Sequence, residues 1–544
     1  MIQIICNSEA YTYNTYHMIK AFYPSAQAVC RVEEKASNYV TVLLEDGRKI
    51  TVGAADMPVE APGTGKEAKI KRQIDVKLYG LLEEETGNSL SWGILTGVRP
   101  TKIAMKKLEE GMDETAFISW FHETYMVSNE KASLAWEIAG REKELLERLD
   151  YDNGYSLYVG IPFCPTVCCY CSFSSGALAD WESKVEDYLD ALCKELKFIA
   201  QKSSLKKLNT IYIGGGTPTT LTAGQLERLL CCIDENFSRE HLLEYTVEAG
   251  RPDSITREKL EAIRRHGVTR ISINPQSMQQ KTLDAIGRRH SVEQIVTAYG
   301  MARELGFDNI NMDIIAGLPG EELQDMEDTL RQIGQLMPDS LTVHSLAIKR
   351  AARMEMEDLK REDGKTNEVM SGMIRSAERM ARKMGLAPYY LYRQKNIAGN
   401  FENVGYAKVD KAGIYNILIM EEKQSIVAGG AGASTKIVLK DMIPMPGSRK
   451  KKMTRLMRIE NVKAIDAYID RIDEMIERKG ECMALKKKPV TGMKDMLPKE
   501  MEIRDYVIHL IKETYKTYGF SSMETLAWSI SRISAASRAG TMKN

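Results

Sequence analysis

The chain has 544 residues, which is too long for one ordinary hydrophobic core and predicts about three domains. Its 75 lysines and arginines balance 75 aspartates and glutamates, so no global charge favours nucleic acid or an anionic membrane, and neither partner is expected. The sequence has no long uncharged apolar stretch and no basic leader followed by an apolar run. Most of the ten cysteines are scattered without a disulfide framework, which predicts a reducing compartment, the cytoplasm.

Residues 1–150 are predicted to form an N-terminal α+β domain. Short β-like runs, YVTVLLED and KITVGA, precede helical segments such as EKASLAWEIAGREKELLERLD. The segment WGILTGVRPTK, residues 92–102, interrupts these patterns with two glycines and a proline. It is either a loop before a helix that starts at Pro100 and Thr101 or a surface on which the next domain docks.

Residues 151–350 repeat one pattern, a short apolar run followed by a helical stretch. The runs are SLYVGIPF, NTIYIGGG, EYTVEAG, RISINPQS, NINMDIIAGLP and SLTVHSLAI. Strands that alternate with helices predict right-handed βαβ units and a parallel sheet. Six such units predict an α/β fold, a partial (β/α)6 TIM-like barrel whose chemistry lies at the carboxyl ends of the strands.

Cysteines cluster directly after the first of these strands, in the segment IPFCPTVCCYCSFSS. Cys164, Cys168 and Cys171 have the spacing Cys-x3-Cys-x2-Cys, and no fourth cysteine or histidine follows at the spacing that a zinc site requires. Three thiolates on such a loop fit a 4Fe-4S cluster with one open iron, which can hold a cofactor by its amine and carboxylate. The alternatives are Cys169 as a ligand in place of Cys168 and a thiol cluster without metal.

The cysteine segment resembles the radical S-adenosylmethionine (SAM) enzymes, and further segments are similar to the oxygen-independent coproporphyrinogen III oxidase family within them. These segments are IYIGGGTPTTL, RISINPQS, AIGRRH and DIIAGLPGE. WGILTGVRPTK and the later YRQKNIAGNFENVGYA resemble the coproporphyrinogen dehydrogenase type called HemZ. The resemblance covers residues 1 to about 480 and implies two cofactors, a 4Fe-4S cluster and SAM.

The resemblance also implies contacts for individual residues. Those to the first SAM are Tyr158, Tyr170, Gly215, Gly216, Thr217 and Glu248. Those lining a second pocket, which holds another SAM or only substrate, are Gln276, Arg288, Asp313 and Ala347. The residues alone leave plainer interpretations open: core packing for the tyrosines, a tight turn for the glycines and a helix-end charge for Arg288.

The chemistry that the resemblance implies is an oxidative decarboxylation. A reduced cluster gives one electron to SAM, and the resulting 5′-deoxyadenosyl radical takes a hydrogen atom from a substrate propionate. Two such rounds convert coproporphyrinogen III to protoporphyrinogen IX, with a reducing electron donor such as flavodoxin or ferredoxin as partner. Because the cofactor performs the difficult step, no catalytic triad is expected. Candidate partners for the carboxylates of the tetrapyrrole are Arg270, Lys349, Arg350 and Arg393.

Residues 351–480 are interpreted as a C-terminal α/β extension of the oxidase type, helical and charged at first and then irregular around YYLYRQKNIAGNFENVGYA and QSIVAGGAGASTK. A helix, VKAIDAYIDRIDEMIERK, is predicted to end near residue 479. The segment 485–525 resembles the start of a histidyl-tRNA synthetase, including GMKDMLP and YGF, without the motifs that bind ATP and histidine. We interpret it as a fused or frameshifted synthetase start without synthetase activity, and predict disorder for residues 526–544.

Two further functions compete with the oxidase interpretation: a haem-binding chaperone of the same fold and a radical SAM methyltransferase that degrades haem. The presence of Gln276, Arg288 and Asp313 favours an enzyme with a second pocket. An exposed histidine placed to bind haem iron would favour the chaperone, and His344, inside SLTVHSLAI, is interpreted as a strand residue near the barrel.

Overall fold

A computed structural model describes residues 1–24, 26–53, 66–97, 99–173, 175–347, 363–394, 401–445, 453–484, 506–510 and 513–514. Residues Met1–Ile476 form one compact unit and Glu477–Asn544 form a second one. The synthetase-like segment and the predicted tail lie outside the described residues, apart from 506–510 and 513–514. In the part of the chain that the structure describes, no helix has the length and apolar character needed to cross a membrane.

The chain begins with a four-stranded sheet. Its strands are β1 (Ile2–Cys6), β2 (Ala28–Val32), β3 (Asn38–Leu43) and β4 (Lys49–Gly53). The helices of this part are α1 (Glu9–Phe22), α2 (Lys66–Thr86), α3 (Thr101–Glu109), α4 (Glu114–Tyr125) and α5 (Asn129–Glu147). The strand order is β2-β1-β3-β4, with β1 and β2 parallel and the other pairs antiparallel. Alternating branched residues such as Val40 and Val42 bury one sheet face in a core shared with Ile19 and Leu78.

The middle of the chain alternates strands with helices, as the sequence predicts. Its strands are β5 (Gly154–Ile161), β6 (Phe163–Cys164), β7 (Gly176–Ala177), β8 (Lys207–Gly215), β9 (Glu244–Gly250), β10 (Arg270–Ile273), β11 (Ile310–Ala316) and β12 (Ser340–Ser345). Its helices are α6 (Leu178–Trp181), α7 (Val185–Ser203), α8 (Ala223–Asn236), α9 (Arg257–Arg265), α10 (Gln280–Ala285), α11 (Val292–Glu304) and α12 (Leu323–Leu336). The strands other than β6 and β7 are parallel, in the order β12-β11-β10-β9-β8-β5. This is the predicted (β/α)6 partial barrel.

The C-terminal part extends both edges of the barrel sheet. Its elements are α13 (Asp363–Lys383), β13 (Ala387–Arg393), β14 (Glu402–Ala407), α14 (Ile414–Glu421), β15 (Ser425–Gly429), β16 (Ser434–Pro444), β17 (Met453–Glu460), α15 (Ile465–Asp470) and α16 (Ile472–Ala484). Next to β12 the sheet continues antiparallel through β14 and β13, and next to β5 it continues through β15, β16 and β17.

Two segments that the sequence presents as irregular are strands, so this prediction is wrong. YYLYRQKNIAGNFENVGYA contains β13 and β14, and QSIVAGGAGASTK contains β15 and the start of β16. Every residue of β14 is buried, and a strand covered on both faces shows no alternation of apolar and polar residues. The helix predicted to end near residue 479 is two helices, α15 and α16, which meet at Arg471.

The segment 92–102 leads into α3, as one interpretation predicts. It also serves as a docking surface, but the contacts described here are with the C-terminal extension and not with the domain that follows next in the chain. Trp92 Nε1 donates to Glu402 Oε2 on β14 at 2.7 Å. Arg393 on β13 donates to the carbonyl oxygen of Leu95 at 2.8 Å. These contacts fix the N-terminal helices against the strands at one edge of the barrel sheet.

Candidate functional site

The three predicted ligand cysteines lie on one loop beyond the carboxyl end of β5. Cys164 ends β6, and Cys171 donates its backbone N–H to the carbonyl oxygen of Cys168 at 3.1 Å. The hydroxyl of Thr217, which follows β8, donates to the Cys164 sulfur at 3.5 Å. Burial raises the pKa of the Cys164 and Cys171 thiols, and the neighbouring thiols raise it further. Thiols that oppose one another's ionisation favour a shared metal centre, which stabilises them together as thiolates.

Arg251, which follows β9, braces this loop. Its buried guanidinium forms an ion pair with Asp253 at 2.6 Å and donates to the carbonyl oxygen of Thr166 at 3.1 Å. The same nitrogen lies 3.8 Å from the Cys168 sulfur. Arg251 therefore fixes the loop and places a positive charge beside the Cys168 sulfur.

The AIGRRH segment supports the other side of the cysteine loop through its backbone. The Ile286 carbonyl oxygen accepts the N–H of Cys169 at 3.2 Å. The Gly287 carbonyl oxygen accepts the Thr166 hydroxyl at 3.0 Å. The conformation of the cysteine loop therefore depends on a segment that is distant in the sequence, since Thr166 and Gly287 are 121 residues apart.

Arg288 from the same segment points inward and is 6% exposed, so its interpretation as a solvated helix-end charge is wrong. It donates to the carbonyl oxygen of Asn274. Burial acts to lower the pKa of Arg288, but the neighbouring Tyr170 and Cys168 outweigh it and raise the pKa above its ordinary value. Arg288 therefore connects the cysteine loop to the polar groups that follow β10.

β8 ends in the glycine turn 214–216, which lies against the cysteine loop. Gly215 has a φ of +108°, a conformation that glycine adopts without strain. A β-carbon on Gly216 would lie 2.5 Å from the carbonyl oxygen of Phe163, and the Gly216 N–H donates to the carbonyl oxygen of Ile161 at 2.7 Å. Glycine is thus required here for the close approach of two protein backbones.

Glu248 on β9 lies beside this turn. It accepts hydrogen bonds from the Tyr212 hydroxyl and from the backbone N–H of Gly215. Burial raises the pKa of Glu248 to about 7, the Tyr212 hydrogen bond opposes this shift, and the charge of Asp313 adds to it. A ligand that donates hydrogen bonds to the carboxylate would favour its charged form.

Three tyrosines form a stack, with Tyr415 buried and Tyr158 and Tyr212, on strands β5 and β8, half-buried. The Tyr212 and Tyr415 ring centroids lie 4.4 Å apart, and Tyr158 stacks 6.2 Å from Tyr212. Tyr415 belongs to α14, whose first backbone N–H, that of Ile414, donates to Glu244 at the amino end of β9. Helix α14 therefore closes the amino end of the barrel, and its tyrosine reaches inward to the predicted SAM residues.

A second polar cluster lies on β11 and β12. The Asp313 carboxylate accepts a hydrogen bond from Asn311 at 2.6 Å and lies 3.7 Å from His344 Nε2, while His344 Nδ1 lies 3.2 Å from the Tyr392 hydroxyl. Burial acts to raise the pKa of Asp313, but the hydrogen bond and charge of His344 outweigh it and hold the pKa below its ordinary value. Asp313 is therefore a charged group inside the barrel.

Gln276 borders this cluster in an unusual conformation. Its backbone N–H donates to the carbonyl oxygen of Asp313 at 2.9 Å, and its φ is +67°, which is rare for a residue with a side chain. Such strain concentrates at functional sites. The buried side-chain oxygen of Gln276 and Nε of Arg288 have no hydrogen-bond partner among the described residues. Both atoms therefore have capacity for a ligand.

Most of the predicted contacts thus converge on the carboxyl ends of the barrel strands. Around the cysteine loop and the glycine turn lie Tyr158, Tyr170, Gly215, Gly216, Thr217 and Glu248. Beside them lie Gln276, Arg288 and Asp313. Ala347, which follows β12, is half-buried.

The predicted partners of substrate carboxylates are not in this group. Arg270 lies at the amino end of β10, where it is buried and donates to the carbonyl oxygen of Lys411 at 3.0 Å. Arg393 is occupied by the docked segment 92–102. The prediction is therefore wrong for both arginines, and Lys349 and Arg350 lie outside the described residues.

Three residues of the site were not predicted from the sequence, Tyr212, Arg251 and Tyr415, and neither was the contact of His344 with Asp313. Tyr212 and His344 lie on predicted barrel strands, so the alternation of side chains along a strand was a usable signal for them. Arg251 and Tyr415 carried no such signal, because their partners are distant in sequence.

The residues present fit the two cofactors that the sequence implies. Three converging thiols with an arginine beside them suit a 4Fe-4S cluster with one open iron. Glu248 lies beside the adjacent glycine turn, and the Gln276 and Arg288 atoms without partners among the described residues lie by the second polar cluster. Such convergent polar groups suit a polar ligand such as SAM.

The comparisons with known proteins agree with this geometry. Residues 158–333 match the model of the radical SAM superfamily. The oxygen-independent coproporphyrinogen-III oxidase-like protein HemZ of Bacillus subtilis is 43% identical over 384 residues, which cover 70% of this chain and 76% of that protein. The chain belongs to the radical SAM family of oxygen-independent coproporphyrinogen III oxidase-like proteins. Radical SAM proteins of the family use a 4Fe-4S cluster and SAM.

More distant relatives divide between two functions. The heme chaperone HemW of Bacillus subtilis is 36% identical over 36% of this chain and 51% of its own length. The oxygen-independent coproporphyrinogen III oxidase of Escherichia coli is 33% identical over 35% of this chain and 42% of its own length. The solved structure of the Escherichia coli oxidase HemN, 22% identical, matches 60% of this chain and 70% of its own with a TM-score of 0.47.

Proposed function

We propose that the protein is a coproporphyrinogen dehydrogenase, which decarboxylates two propionates of coproporphyrinogen III to the vinyl groups of protoporphyrinogen IX without oxygen. The observation that carries the proposal is the second polar cluster of Gln276, Asp313 and His344. Arg288 links the cysteine loop to the segment after β10 that carries Gln276. An oxidase-like relative that shares 43% identity over most of its length supports the same function.

When bound, the cluster and SAM supply the one-electron chemistry that removes a hydrogen atom from the β-carbon of a propionate. Each propionate radical then loses CO2 and passes one further electron to a one-electron acceptor, which leaves a vinyl group. A reducing protein such as flavodoxin or ferredoxin is the proposed partner of the cluster. In this proposal Cys164, Cys168 and Cys171 hold the cluster, with Arg251 beside Cys168.

The chain itself orients the reactants and excludes water. Glu248, fixed by Tyr212 and Gly215, accepts hydrogen bonds from the ribose hydroxyls of SAM in this proposal. The tyrosine stack and α14 close the opposite end of the barrel, so solvent is kept from the floor of the site. Asp313 and Arg288 add one negative and one positive charge for the polar groups of a second ligand.

The test is an anaerobic incubation of the reconstituted protein with SAM, a one-electron reductant and coproporphyrinogen III. We expect protoporphyrin, measured after oxidation, together with 5′-deoxyadenosine. Deoxyadenosine without a tetrapyrrole product would contradict the substrate and leave the radical SAM assignment in place.

The heme chaperone relatives supply the second outcome of that experiment. Neither product, together with tight binding of haem by the reconstituted protein, would move the assignment to a chaperone. The contacts of His344 to Asp313 and Tyr392 favour the enzyme, because both ring nitrogens face protein side chains and not a haem iron.

Glu248→Gln is expected to weaken SAM binding at pH 8 by roughly 10- to 100-fold, because a charge-assisted hydrogen bond contributes about 1.5–3 kcal/mol. Without SAM the same change is expected to stabilise the protein above pH 7. The pKa of Glu248 in the folded protein, about 7, lies above its ordinary value, so the folded state loses stability as pH rises and the group ionises. Glutamine has no such loss.

Isothermal titration with SAM and thermal unfolding at pH 6 and pH 8 measure both effects. Glu240→Gln changes an exposed carboxylate and is the matched control. SAM affinity equal to that of the control would remove Glu248 from the proposed site.

A further inference from the structure

Three side chains with metal-ligating atoms converge on the helices that surround the barrel, apart from the site described above. They are Glu227 and Cys231 on α8 and His266, the residue that ends α9. One ligand atom from each lies within 4.8 Å of the others. Glu227 and Cys231 are four residues apart, so they share one face of the helix. None of the three takes part in the proposed haem chemistry.

We propose that Glu227, Cys231 and His266 form a binding site for a transition metal ion of borderline softness, represented by Zn2+. The proposal does not depend on the proposed oxidase function. A thiolate, an imidazole nitrogen and a carboxylate oxygen together select Zn2+ over the hard cations Mg2+ and Ca2+, which prefer oxygen ligands throughout.

The distances are close to those of a tetrahedral site. His266 Nε2 lies 3.0 Å from Glu227 Oε1 and 3.9 Å from the Cys231 sulfur. Ordinary zinc bond lengths of about 2.0–2.3 Å place such ligand atoms roughly 3.3–3.6 Å apart. The two distances to His266 therefore have to change by only a few tenths of an ångström, and the ligand atoms of Glu227 and Cys231 already lie within 4.8 Å of each other.

The surrounding charges orient the three ligands. His266 Nδ1 lies 2.6 Å from Asp234 Oδ2, an arrangement that fixes the ring and leaves Nε2 as the metal-binding nitrogen. The other oxygen of Asp234 pairs with Arg239. The second oxygen of Glu227 pairs with Arg265 at 2.7 Å. Both carboxylates are thus held by arginines on one side and face the histidine on the other.

The site is open enough for a metal to enter. The Glu227 side chain is 39% exposed, whereas that of His266 is 11% exposed. Cys231 also lines a surface cavity together with Arg228 and Glu235. Three protein ligands leave a fourth position to water, and a bound ion would tie α8 to the end of α9.

The experiment uses the full chain with its iron–sulfur cluster reconstituted, so that the cluster cysteines are occupied. After treatment with a chelating resin and equilibration with Zn2+, zinc and iron are counted per chain by mass spectrometry. We expect about one zinc in addition to the cluster iron, and a zinc absorption-edge spectrum with one sulfur neighbour at about 2.3 Å and nitrogen or oxygen neighbours at about 2.0 Å.

The variants separate the site from incidental binding. Cys231→Ser and His266→Gln are expected to weaken zinc binding at least 10-fold, and Asp234→Asn to weaken it by about 10- to 100-fold through loss of ring orientation. Cys232→Ser changes the next cysteine on α8, whose sulfur faces the Cys193 carbonyl oxygen, and is expected to leave zinc binding unchanged.

Two results would overturn the proposal: no zinc beyond that of the resin-treated protein, or zinc retained equally by Cys231→Ser. If a variant fails to fold, the zinc absorption spectrum of the unmodified protein still tests the proposal. A zinc coordination shell without a sulfur neighbour would contradict a site that includes Cys231. Mg2+ in place of Zn2+ is the metal control and is expected to show no binding that depends on Cys231.

Discussion

Replacement of Cys168 by alanine is expected to remove the iron–sulfur cluster, whereas replacement of its neighbour Cys169 is expected to preserve it. The Cys168 sulfur is buried beside two cations, Arg251 and Arg288, whose charges complement the negative charge of an iron–sulfur cluster held by thiolates. Cys169 contributes a backbone contact, because its N–H donates to the Ile286 carbonyl oxygen. An alanine leaves that backbone contact intact.

The expected loss for Cys168→Ala is at least 10-fold in iron and sulfide content after anaerobic reconstitution, with loss of the visible absorbance of the cluster. Cys164→Ala and Cys171→Ala are expected to behave in the same way, because a cluster with one open iron needs all three thiolates. Cys169→Ala is the matched control, one residue away and similar in size. Iron retained by Cys168→Ala and lost by Cys169→Ala would reverse the ligand assignment.

Removal of the buried cation Lys131 is expected to destabilise the compact unit Met1–Ile476 by about 3–5 kcal/mol, the usual effect of leaving a buried charge without its partner. Lys131 Nζ lies 2.8 Å from Glu402 Oε1, and the two side chains are 4% and 0% exposed. Trp92 donates to the other oxygen of Glu402. In Lys131→Met the carboxylate stays buried without its cation and keeps only neutral donors, the Trp92 indole and the backbone N–H of Glu402.

The ion pair also determines how stability depends on pH. Burial acts to raise the pKa of Glu402, but Lys131 outweighs it and holds the pKa below its ordinary value. Burial acts to lower the pKa of Lys131, but Glu402 outweighs it and raises the pKa. The stabilisation is therefore lost as pH falls below about 4 and as pH rises above about 10, the ordinary values of the two groups.

Thermal and urea unfolding of three variants measures this prediction. Lys131→Met combined with Glu402→Gln is expected to recover most of the lost stability, because no charge is then buried and glutamine still accepts the Trp92 hydrogen bond. Glu130→Gln removes the exposed partner of Lys131, 3.3 Å away, and is expected to change stability by less than about 1 kcal/mol. A loss in Lys131→Met no larger than that of Glu130→Gln would contradict the argument.

Loss of the ion pair between Lys131 and Glu402 is also expected to affect the second polar cluster. Glu402 begins β14, which pairs with β12, and β12 carries His344 beside Asp313. Weaker docking of the N-terminal helices on β14 is therefore expected to loosen the second polar cluster before it affects the cysteine loop, which lies on the other side of β8 and β9.

The sequence by itself determined the barrel and the place of its chemistry. Each barrel strand is an apolar run between helical stretches, and both signals arise within about ten neighbouring residues. The cysteine spacing is equally local, so Cys164, Cys168 and Cys171 were identifiable without a structure. The carboxyl-end rule for parallel barrels then placed Glu248 and Asp313 near them.

Only the tertiary structure decided which residues brace and close the site, because their partners lie far along the chain. Tyr415 reaches Tyr212 from a helix about 200 residues later, and Arg393 holds Leu95 across 298 residues. Charge alone made Arg270 and Arg393 candidate substrate ligands, yet burial gave each a backbone carbonyl as its partner. Strand β14 was not predicted for a related reason. It is buried on both faces by elements that are distant in the sequence, so its own residues show no alternation of apolar and polar side chains.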